Sequence, residues 1–396
     1  MRRLRIQATA ALLLVSLTAG CTNGPATLEP PPPIEAPAWE ALGTAGLPEA
    51  SFADIAGGDP GFVLLVKPYG SNYATAILTS KDGREWTATP PPGWRDGNVA
   101  VADDGRRIYL TGPGADDREQ LIWEYTGDGE WSEPVALPVE PVAAYVLEGF
   151  YWALEVVDGE VYAARVDETA GTSTLWSSVD GYTAIETPLR PRAERSSSFS
   201  HLPLNAAVTP WGTALLHRSV RGRLQMSIAP GDLSGLPEQI PDTTIITGLA
   251  VNGGNVAVHG DVYSWLQPGD PNYVEDDLGG FNERSVREAW CADGALTPAT
   301  VDVGRLPDIG VGGYFVNEAV AFRYGFLLLG GSNPDNYSQG ISGLWTSPDG
   351  CAWTKDDVAA NRFDEARELL GAAVGNGVTL LVGENTQGYG LLLWRG

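Results

Sequence analysis

Positive charge is scarce in this sequence of 396 residues. Arginine and lysine together number 25 against 50 acidic residues, lysine occurs only three times, and the formal net charge is −25. A nucleic-acid-binding surface needs clustered basic groups, so this charge balance argues against a nucleic acid as partner. Cysteine and histidine each occur three times, which excludes a four-cysteine zinc module.

Glycine and tryptophan, in contrast, are abundant, with 49 and 13 residues. Many glycines and tryptophans with little lysine favour tight turns between packed strands over helical bundles and coiled coils. Hydrophobic residues make up 43% of the chain, enough to form a sizeable core. The composition therefore predicts an all-β protein.

The first 20 residues have the organisation of an export signal. Three arginines precede an apolar stretch at 8–17 that is too short for a membrane-spanning helix. The segment Leu17-Thr18-Ala19-Gly20-Cys21 resembles the lipobox of bacterial lipoproteins, and the resemblance implies cleavage before Cys21 and acylation of that cysteine. An ordinary secretory signal cleaved near Gly20 is the alternative. Both predict an extracytoplasmic protein.

Residues 21–37 follow as a lipidated cysteine and a proline-rich tether, and residues 38–396 form the body. Proline-rich segments of this kind are extended, semi-rigid spacers. Removing residues 1–20 takes away three arginines and no acid, so the net charge moves from −25 to −28. Because an anionic membrane repels such a body, we expect the lipid chains alone to attach it to the cell membrane.

The body contains a repeated pattern of an apolar strand end, Ser or Thr, an Asp-Gly turn and often a Trp. It is clearest at 77–86, 175–184 and 344–353, and looser at 123–131 and 290–295. Asp-Gly is a strong hairpin signal, because Asp accepts hydrogen bonds from turn N–H groups and Gly adopts positive φ. The repeat therefore predicts a series of similar antiparallel sheets.

The form Ser-x-Asp-Gly-x-x-Trp, present at 80–86 and 347–353, resembles the Asp-box (BNR repeat) of sialidase-like β-propellers. In that family the box joins the third and fourth strands of a four-stranded blade. The resemblance implies a structural, turn-stabilising role for five aspartates: Asp82, Asp128, Asp180, Asp293 and Asp349.

The spacing of the repeats predicts a single seven-bladed β-propeller. Third-strand tryptophans occur at Trp123, Trp176, Trp290, Trp345 and Trp394. Two further third strands are expected around Leu78 and Gln225, the latter with a degenerate box at 230–232. Seven apolar runs are expected as second strands: 61–66, 107–111, 161–165, 213–216, 255–258, 325–329 and 377–382. Residues 38–43 resemble a fourth strand and are expected to complete the last blade.

Three loops between second and third strands share glycine, amide and tyrosine residues, in blades that are neighbours across the closure. Amides with tyrosine suit a sugar or a peptide backbone, although these residue types are also ordinary in turns. The ligand-binding candidates are Asn72, Tyr73, Asn333, Asp335, Asn336, Tyr337, Asn385, Gln387 and Tyr389.

The sequence indicates a metal, a cofactor or catalysis less clearly than it indicates a binding surface. The acidic insertion at 268–285 offers oxygen ligands for Ca²⁺ but lacks the EF-hand spacing, so a solvated loop is expected and no metal or cofactor is assigned. Arg107-Ile108-Tyr109 lacks the proline of the Arg-Ile-Pro motif of sialidases, and Arg218, Arg221 and Arg223 are clustered rather than spread over blades. The three histidines are expected to be structural.

Cys291 and Cys351 remain as candidates for a disulfide, since both lie in or beside turns of adjacent blades. The principal hypothesis is a non-catalytic binding or scaffold module, tethered to the cell membrane, for an envelope protein or glycan. The alternative is an exported glycoside hydrolase or lyase, since two suitably separated carboxylates suffice for glycoside hydrolysis.

Overall fold

The computed structural model describes residues 38–69, 75–115, 119–139, 150–190, 202–219, 223–241, 244–265, 283–293, 295–301, 314–322, 325–332, 341–355, 363, 365–385 and 390–396. These residues form seven antiparallel sheets, which we number as blades in chain order. Because alternating apolar runs are separated by glycine-containing turns, each run pairs with the next in an antiparallel hairpin.

Blades 1 and 3 have four strands and blade 2 has five, and the chain runs through each blade from its inner to its outer edge. Blade 1 consists of β2 (Ala50–Gly58), β3 (Gly61–Pro68), β4 (Ala76–Ser80) and β5 (Thr87–Ala88). Blade 2 consists of β6 (Ala100–Asp103), β7 (Ile108–Pro113), β8 (Gln120–Gly127) and β10 (Val135–Ala136), with β9 (Glu130–Trp131) also on β8. Blade 3 consists of β11 (Phe150–Val157), β12 (Glu160–Asp167), β13 (Thr172–Ser177) and β14 (Ile185–Pro188).

Blade 4 has three strands in the described part of the chain and is followed by a single helical turn. Its strands are β15 (Asn205–Thr209), β16 (Gly212–Arg218) and β17 (Leu224–Ala229), and the helix is α1 (Leu236–Gln239). Blade 5 consists of β18 (Thr244–Asn252), β19 (Asn255–Trp265), β20 (Glu283–Asp293) and β21 (Ala295–Pro298).

Blades 6 and 7 each include a strand from outside their own run of consecutive strands. Blade 6 consists of β23 (Tyr314–Phe322), β24 (Gly325–Ser332), β25 (Ile341–Ser347) and β26 (Ala352–Lys355), and β22 (Thr300–Val301) adds parallel to β26. Blade 7 consists of β27 (Ala366–Gly375), β28 (Val378–Asn385), β29 (Leu391–Arg395) and β1 (Glu40–Gly43). Ala41 of β1 lies opposite Trp394 of β29.

The blades follow one another around a ring. The first strands of blades 1, 2 and 3 pack in sequence, as do those of blades 5, 6 and 7, and β27 packs against β2. The described residues form seven buried apolar clusters, one at each junction between adjacent blades. Seven sheets that pack face to face around a common centre are a seven-bladed β-propeller, as the spacing predicts.

The third-strand tryptophans occupy these junctions. Trp123 lies in the cluster between blades 1 and 2, Trp176 between 2 and 3, and Trp345 between 5 and 6. All three side chains are at most 1% exposed. The flat indole fills the space between two sheets, so a tryptophan on the third strand recurs where a blade meets the preceding one.

The seven predicted second strands are confirmed, but blade 4 departs from the expected arrangement. Its third strand in chain order, β17, packs against β11 of blade 3 and β18 of blade 5, and is therefore the innermost strand. The first strand, β15, lies near the outer strand of blade 3, where Asn205 accepts a hydrogen bond from the Arg190 backbone N–H. Blade 4 thus runs from outside to inside, a reversal that strand spacing could not reveal.

Candidate functional site

The inner strands of four blades carry a β-bulge at the same place. The register against the second strand shifts at Phe52/Asp54, Ile246/Gly248, Val316/Glu318 and Leu369/Gly371. A bulge bends a strand and changes the direction of a side chain. The residue that follows it is an acid in blades 1 and 6 and a glycine in blades 5 and 7.

The two glycines allow a close approach of the next blade. A Cβ atom on Gly248 would lie 2.8 Å from the Ala319 backbone nitrogen of blade 6, and one on Gly371 would lie 2.4 Å from the Phe52 ring of blade 1. Neither neighbour leaves room for a side chain. At the same position, blades 1 and 6 instead place the carboxylates of Asp54 and Glu318.

Arg223, at the start of the inner strand of blade 4, binds both carboxylates. Its Nη2 donates to Glu318 Oε1 at 2.8 Å, its Nη1 donates to the Ala53 carbonyl at 3.0 Å, and Nη1 also forms an ion pair with Asp54. The three charged side chains are 13–21% exposed. Charge-assisted hydrogen bonds of this kind are the stronger class, so one guanidinium connects three blades.

Two further side chains of blade 4 extend this cluster. Gln225 Nε2 donates to Glu318 Oε1 at 3.2 Å. His217 lies directly opposite Gln225 in the β16–β17 ladder and is 1% exposed. Burial lowers the pKa of His217 to about 4, because the charged imidazolium would lose its hydration. The imidazole is therefore neutral at neutral pH.

Blades 2 and 3 contribute a second pair of carboxyl groups, Asp103 and Glu155. The Asp103 oxygens accept hydrogen bonds from the N–H groups of Gly57 and Gly105, each at 2.9 Å. Burial raises the pKa of Asp103 to about 7, and burial together with the charge of Asp103 raises the pKa of Glu155 to about 8. Both groups therefore titrate near neutral pH.

A third group of polar contacts joins blades 6 and 7. Asn317, the bulged residue of β23, donates to Glu368 Oε2 at 2.9 Å and to the Leu369 carbonyl at 2.7 Å. Arg367 lies 3.1 Å from Glu368 and 3.2 Å from Glu384. Glu368 is only 6% exposed, so these contacts compensate its burial.

Most of the polar groups described on the inner strands thus bind other groups of the same chain. Within the described ranges, no three His, Cys, Asp or Glu side chains are arranged to hold a metal ion. The chemistry that these inner strands show is the binding of the Arg223 guanidinium by carboxylates and the uptake of protons by Asp103 and Glu155.

Among the described residues there is also no helix that is long and apolar enough to cross a membrane.

Most of the predicted ligand-binding residues lie outside the described residues: Asn72, Tyr73, Asn333, Asp335, Asn336, Tyr337, Gln387 and Tyr389. Cys21 and the acidic insertion at 268–282 also lie outside them. Asn385 ends β28, and its backbone N–H donates to the Gly390 carbonyl at 2.9 Å. The strands that carry the three loops belong to blades 1, 6 and 7, whose inner strands are adjacent.

Three of the five repeat aspartates accept hydrogen bonds from turn N–H groups. Asp82 Oδ1 accepts from Arg84 at 3.0 Å, Asp180 Oδ1 from Thr183 at 3.1 Å, and Asp349 Oδ1 from Cys351 at 2.8 Å. In blades 1 and 6 the serine of the repeat also accepts from the turn glycine. These contacts hold the turn between the third and fourth strands.

The other two aspartates have different surroundings. Asp128 has φ of 50° in the tight β8–β9 hairpin, and its side chain lies 3.7 Å from Lys81 Nζ. Asp293 is the last residue of β20 and pairs with Ala295. Blade 2 thus uses a two-residue hairpin with positive φ at both central residues, whereas blades 1 and 6 use a longer turn.

Cys291 and Cys351 are joined by a disulfide in the structure, with Cα atoms 5.1 Å apart. Cys291 lies on the third strand of blade 5, and Cys351 follows the Asp-Gly turn of blade 6. The bond links adjacent blades and closes a loop with a sequence separation of 60.

The sequence analysis did not predict the central cluster, formed by Arg223, Asp54, Glu318 and Gln225. Arg223 is grouped with Arg218 in the sequence, yet Arg218 stacks on the Tyr151 ring at 3.8 Å and forms an ion pair with Glu168 at 3.5 Å. The available signal was an acid in the middle of an otherwise apolar first strand, as at Asp54, Glu155 and Glu318.

No protein family matches the chain, and no curated protein matches it either. Among solved structures it is similar to the β-propeller domain of a trilobed protease from Pyrococcus furiosus, with 10% identity, 88% of this chain and 97% of that chain covered, and a TM-score of 0.44. It is also similar to a six-bladed fungal lectin from Aleuria aurantia, with 10% identity and a TM-score of 0.37. That match covers 87% of this chain and 93% of the lectin. A sialidase from Trypanosoma rangeli matches with 12% identity and a TM-score of 0.40, and the match covers 91% of this chain and 60% of the sialidase.

Proposed function

We propose that this chain is an exported, lipid-anchored β-propeller that acts as a non-catalytic binding or scaffold module for an envelope protein or glycan. The disulfide between Cys291 and Cys351 supports export, because such bonds persist in oxidising compartments. The N-terminal pattern that ends at Cys21 supports anchoring through acylation. The turns at Asp82, Asp180 and Asp349 support membership of the Asp-box class.

A non-catalytic role is supported above all by the way the central charges are used. The guanidinium of Arg223, at the centre of the ring, already contacts Asp54 and Glu318 of the same chain. The binding surface that we propose is therefore the loop cluster of blades 1, 6 and 7, which carries the amide and tyrosine residues.

The binding face is tested by capture of partners from envelope extracts. A variant with Tyr73→Ala, Asn333→Ala, Tyr337→Ala and Tyr389→Ala is expected to lose capture and to keep its melting temperature. The matched control alters exposed turn residues of other loops, with Lys81→Ala and Val179→Ala. Equal capture by both variants would exclude the loop cluster as the binding surface.

Anchoring is tested separately by fractionation after metabolic labelling with palmitate. The unaltered chain is expected to carry label and to sediment with membranes, whereas Cys21→Ala is expected to lose the label. A chain that is exported without label would support the ordinary secretory signal instead.

A glycoside hydrolase is the second candidate, and the raised pKa values of Asp103 and Glu155 favour it. A carboxylic acid that holds its proton near neutral pH is suited to act as a general acid. Turnover of aryl-glycosides and cell-wall polysaccharides is expected to be undetectable. Turnover that disappears in Glu155→Gln would reverse the ranking of the two functions.

A further inference from the structure

The centre of the ring contains a site for a guanidinium group, and the chain itself fills it. Three acceptors surround the Arg223 guanidinium: the carboxylates of Asp54 and Glu318 and the carbonyl of Ala53. They come from blades 1 and 6, on the other side of the ring from blade 4. We propose that this contact is a latch that holds the reversed blade 4 in the ring, and that Arg223 occupies a guanidinium-binding site formed by blades 1 and 6.

The backbone at Arg223 is held in place by its own blade. The Arg223 N–H donates to Ser219 Oγ at 3.2 Å, and the Ser219 N–H donates to the Arg223 carbonyl at 2.8 Å. The side chain therefore starts from a defined point at the inner end of blade 4. Because the guanidinium is planar and presents several donors, it can contact two carboxylates at once, which an ammonium group does less well.

Within the described residues, blade 4 has neither a disulfide nor an added strand that joins it to another blade. In the described residues it has three strands, one fewer than blades 1, 3, 5 and 7, and its inner strand is β17. Blade 5 is bonded to blade 6 through a disulfide and through β22, and blade 7 contains β1. Blade 4 is held by apolar packing on both faces and by side-chain hydrogen bonds.

Charge balance makes the latch sensitive to the loss of its cation. The inner strands of blades 1, 2, 3 and 6 each contribute one acid near the centre: Asp54, Asp103, Glu155 and Glu318. Without Arg223, Asp54 loses the guanidinium whose charge opposes the rise of its pKa by burial, and Glu318 loses a charge-assisted hydrogen bond. Breaking such a pair costs more than the pair contributes, because one partner remains charged and desolvated.

Hydrogen exchange of blade 4 tests the latch directly. In Arg223→Met, the amides of β17 are expected to exchange roughly a hundredfold faster, whereas those of β3 in blade 1 keep their rates. The control is Lys81→Met, which removes an exposed ion pair and is expected to change neither set of rates. Exchange in Arg223→Met that equals the exchange of the unaltered protein would overturn the proposal.

Chemical rescue tests whether the site binds a guanidinium group as such. In Arg223→Ala, millimolar guanidinium chloride, far below denaturing concentration, is expected to restore much of the protection of β17. Sodium chloride at the same concentration is expected to restore none. Equal effects of the two salts, or no effect of either, would show that the acceptors do not form a guanidinium site.

A second set of variants keeps the proposal testable if Arg223→Ala does not fold. Asp54→Asn with Glu318→Gln removes the buried charges that Arg223 compensates. The triple variant with Arg223→Met is therefore expected to protect β17 better than Arg223→Met alone. Poorer protection in the triple variant would contradict the latch. Because no partner enters these measurements, their outcome is independent of the proposed binding function.

Discussion

Blades 5 and 6 are joined covalently, whereas blade 4 is attached to its neighbours by non-covalent contacts. The Cys291–Cys351 disulfide and the parallel pairing of β22 with β26 connect blade 5 to blade 6. Asn252 adds hydrogen bonds to the carbonyls of Phe322 and Gly325 at 3.1 and 2.9 Å. Blade 4 instead contacts the opposite side of the ring through Arg223. The same scaffold therefore uses peripheral bonds in one region and a central ion-pair cluster in another.

This difference has a physical reason in the direction of the chain. A blade that runs from inside to outside leaves its last strand at the periphery, where the next segment can add to a neighbouring sheet. Blade 4 runs the other way and ends at the centre. Its connection to blade 5 therefore starts from the inner strand, and α1 lies in that connection.

The largest expected effect comes from the apolar packing that both regions share. Trp345→Ala removes a side chain that is 1% exposed between blades 5 and 6, and is expected to cost about 3–5 kcal/mol of unfolding free energy. Leu215→Ala, in the cluster between blades 4 and 5, is expected to cost about 2–5 kcal/mol. Denaturant unfolding measures both. A loss in either variant well below 1 kcal/mol would contradict the packing described.

The disulfide is expected to have the next largest effect. Replacing both cysteines by serine removes a loop constraint with a sequence separation of 60, which contributes roughly 4 kcal/mol in the chain-entropy model. The effect is expected in global unfolding, with no change in hydrogen exchange of β17. Titration of free thiols in the unreduced protein provides the direct check, and two reactive thiols would contradict the bond.

The pH dependence of stability is expected to reflect the two raised carboxyl groups. Asp103 and Glu155 have pKa values of about 7 and about 8 in the folded state, above their usual values of 3.8 and 4.5. The folded state therefore binds more protons than the unfolded state between those limits, so stability falls as the pH rises across this interval and levels off above about 8. The lowered pKa of His217 acts in the opposite direction between about 4 and 6.5.

The double variant Asp103→Asn with Glu155→Gln is expected to remove this decrease. Melting temperatures measured from mildly acidic to mildly alkaline pH provide the comparison. Glu160→Gln is the control, because this carboxylate is in the same blade as Glu155. It accepts a hydrogen bond from the Ser178 hydroxyl at 2.6 Å, which the glutamine carbonyl can also accept. A melting temperature that rises steadily with pH in the unaltered protein would contradict the expected sign.

The smallest effect is expected from the exposed ion pair between Lys81 and Asp128. Their side chains are 78% and 82% exposed, and the nitrogen and oxygen lie 3.7 Å apart. Exposed pairs of this kind contribute less than about 1 kcal/mol, and salt weakens them further. Lys81→Met should therefore leave the unfolding free energy nearly unchanged. A large loss would mean that the turns of blades 1 and 2 interact more strongly than this distance implies.

Local patterns in the sequence were sufficient for much of the fold. The apolar runs predict the second strands and the Asp-Gly turns predict hairpins. The spacing of the five third-strand tryptophans, with the two further third strands expected around Leu78 and Gln225, predicts the number of blades. Each of these signals depends on residues close together in the chain. Blade 4 lacked a third-strand tryptophan and a complete turn motif, and this is the blade whose spatial order differed from expectation.

The sequence by itself determined a seven-fold series of antiparallel sheets, because turn chemistry and strand alternation act over a few residues. Only the tertiary structure decided that β17 is the inner strand and that Asp54, Arg223 and Glu318 meet. Consecutive residues of this set are separated by about a hundred positions or more in the chain. They meet because the inner strands of blades 1, 4 and 6 all face the centre of the ring. Contacts across the centre depend on the packing of the whole ring, which no local pattern encodes.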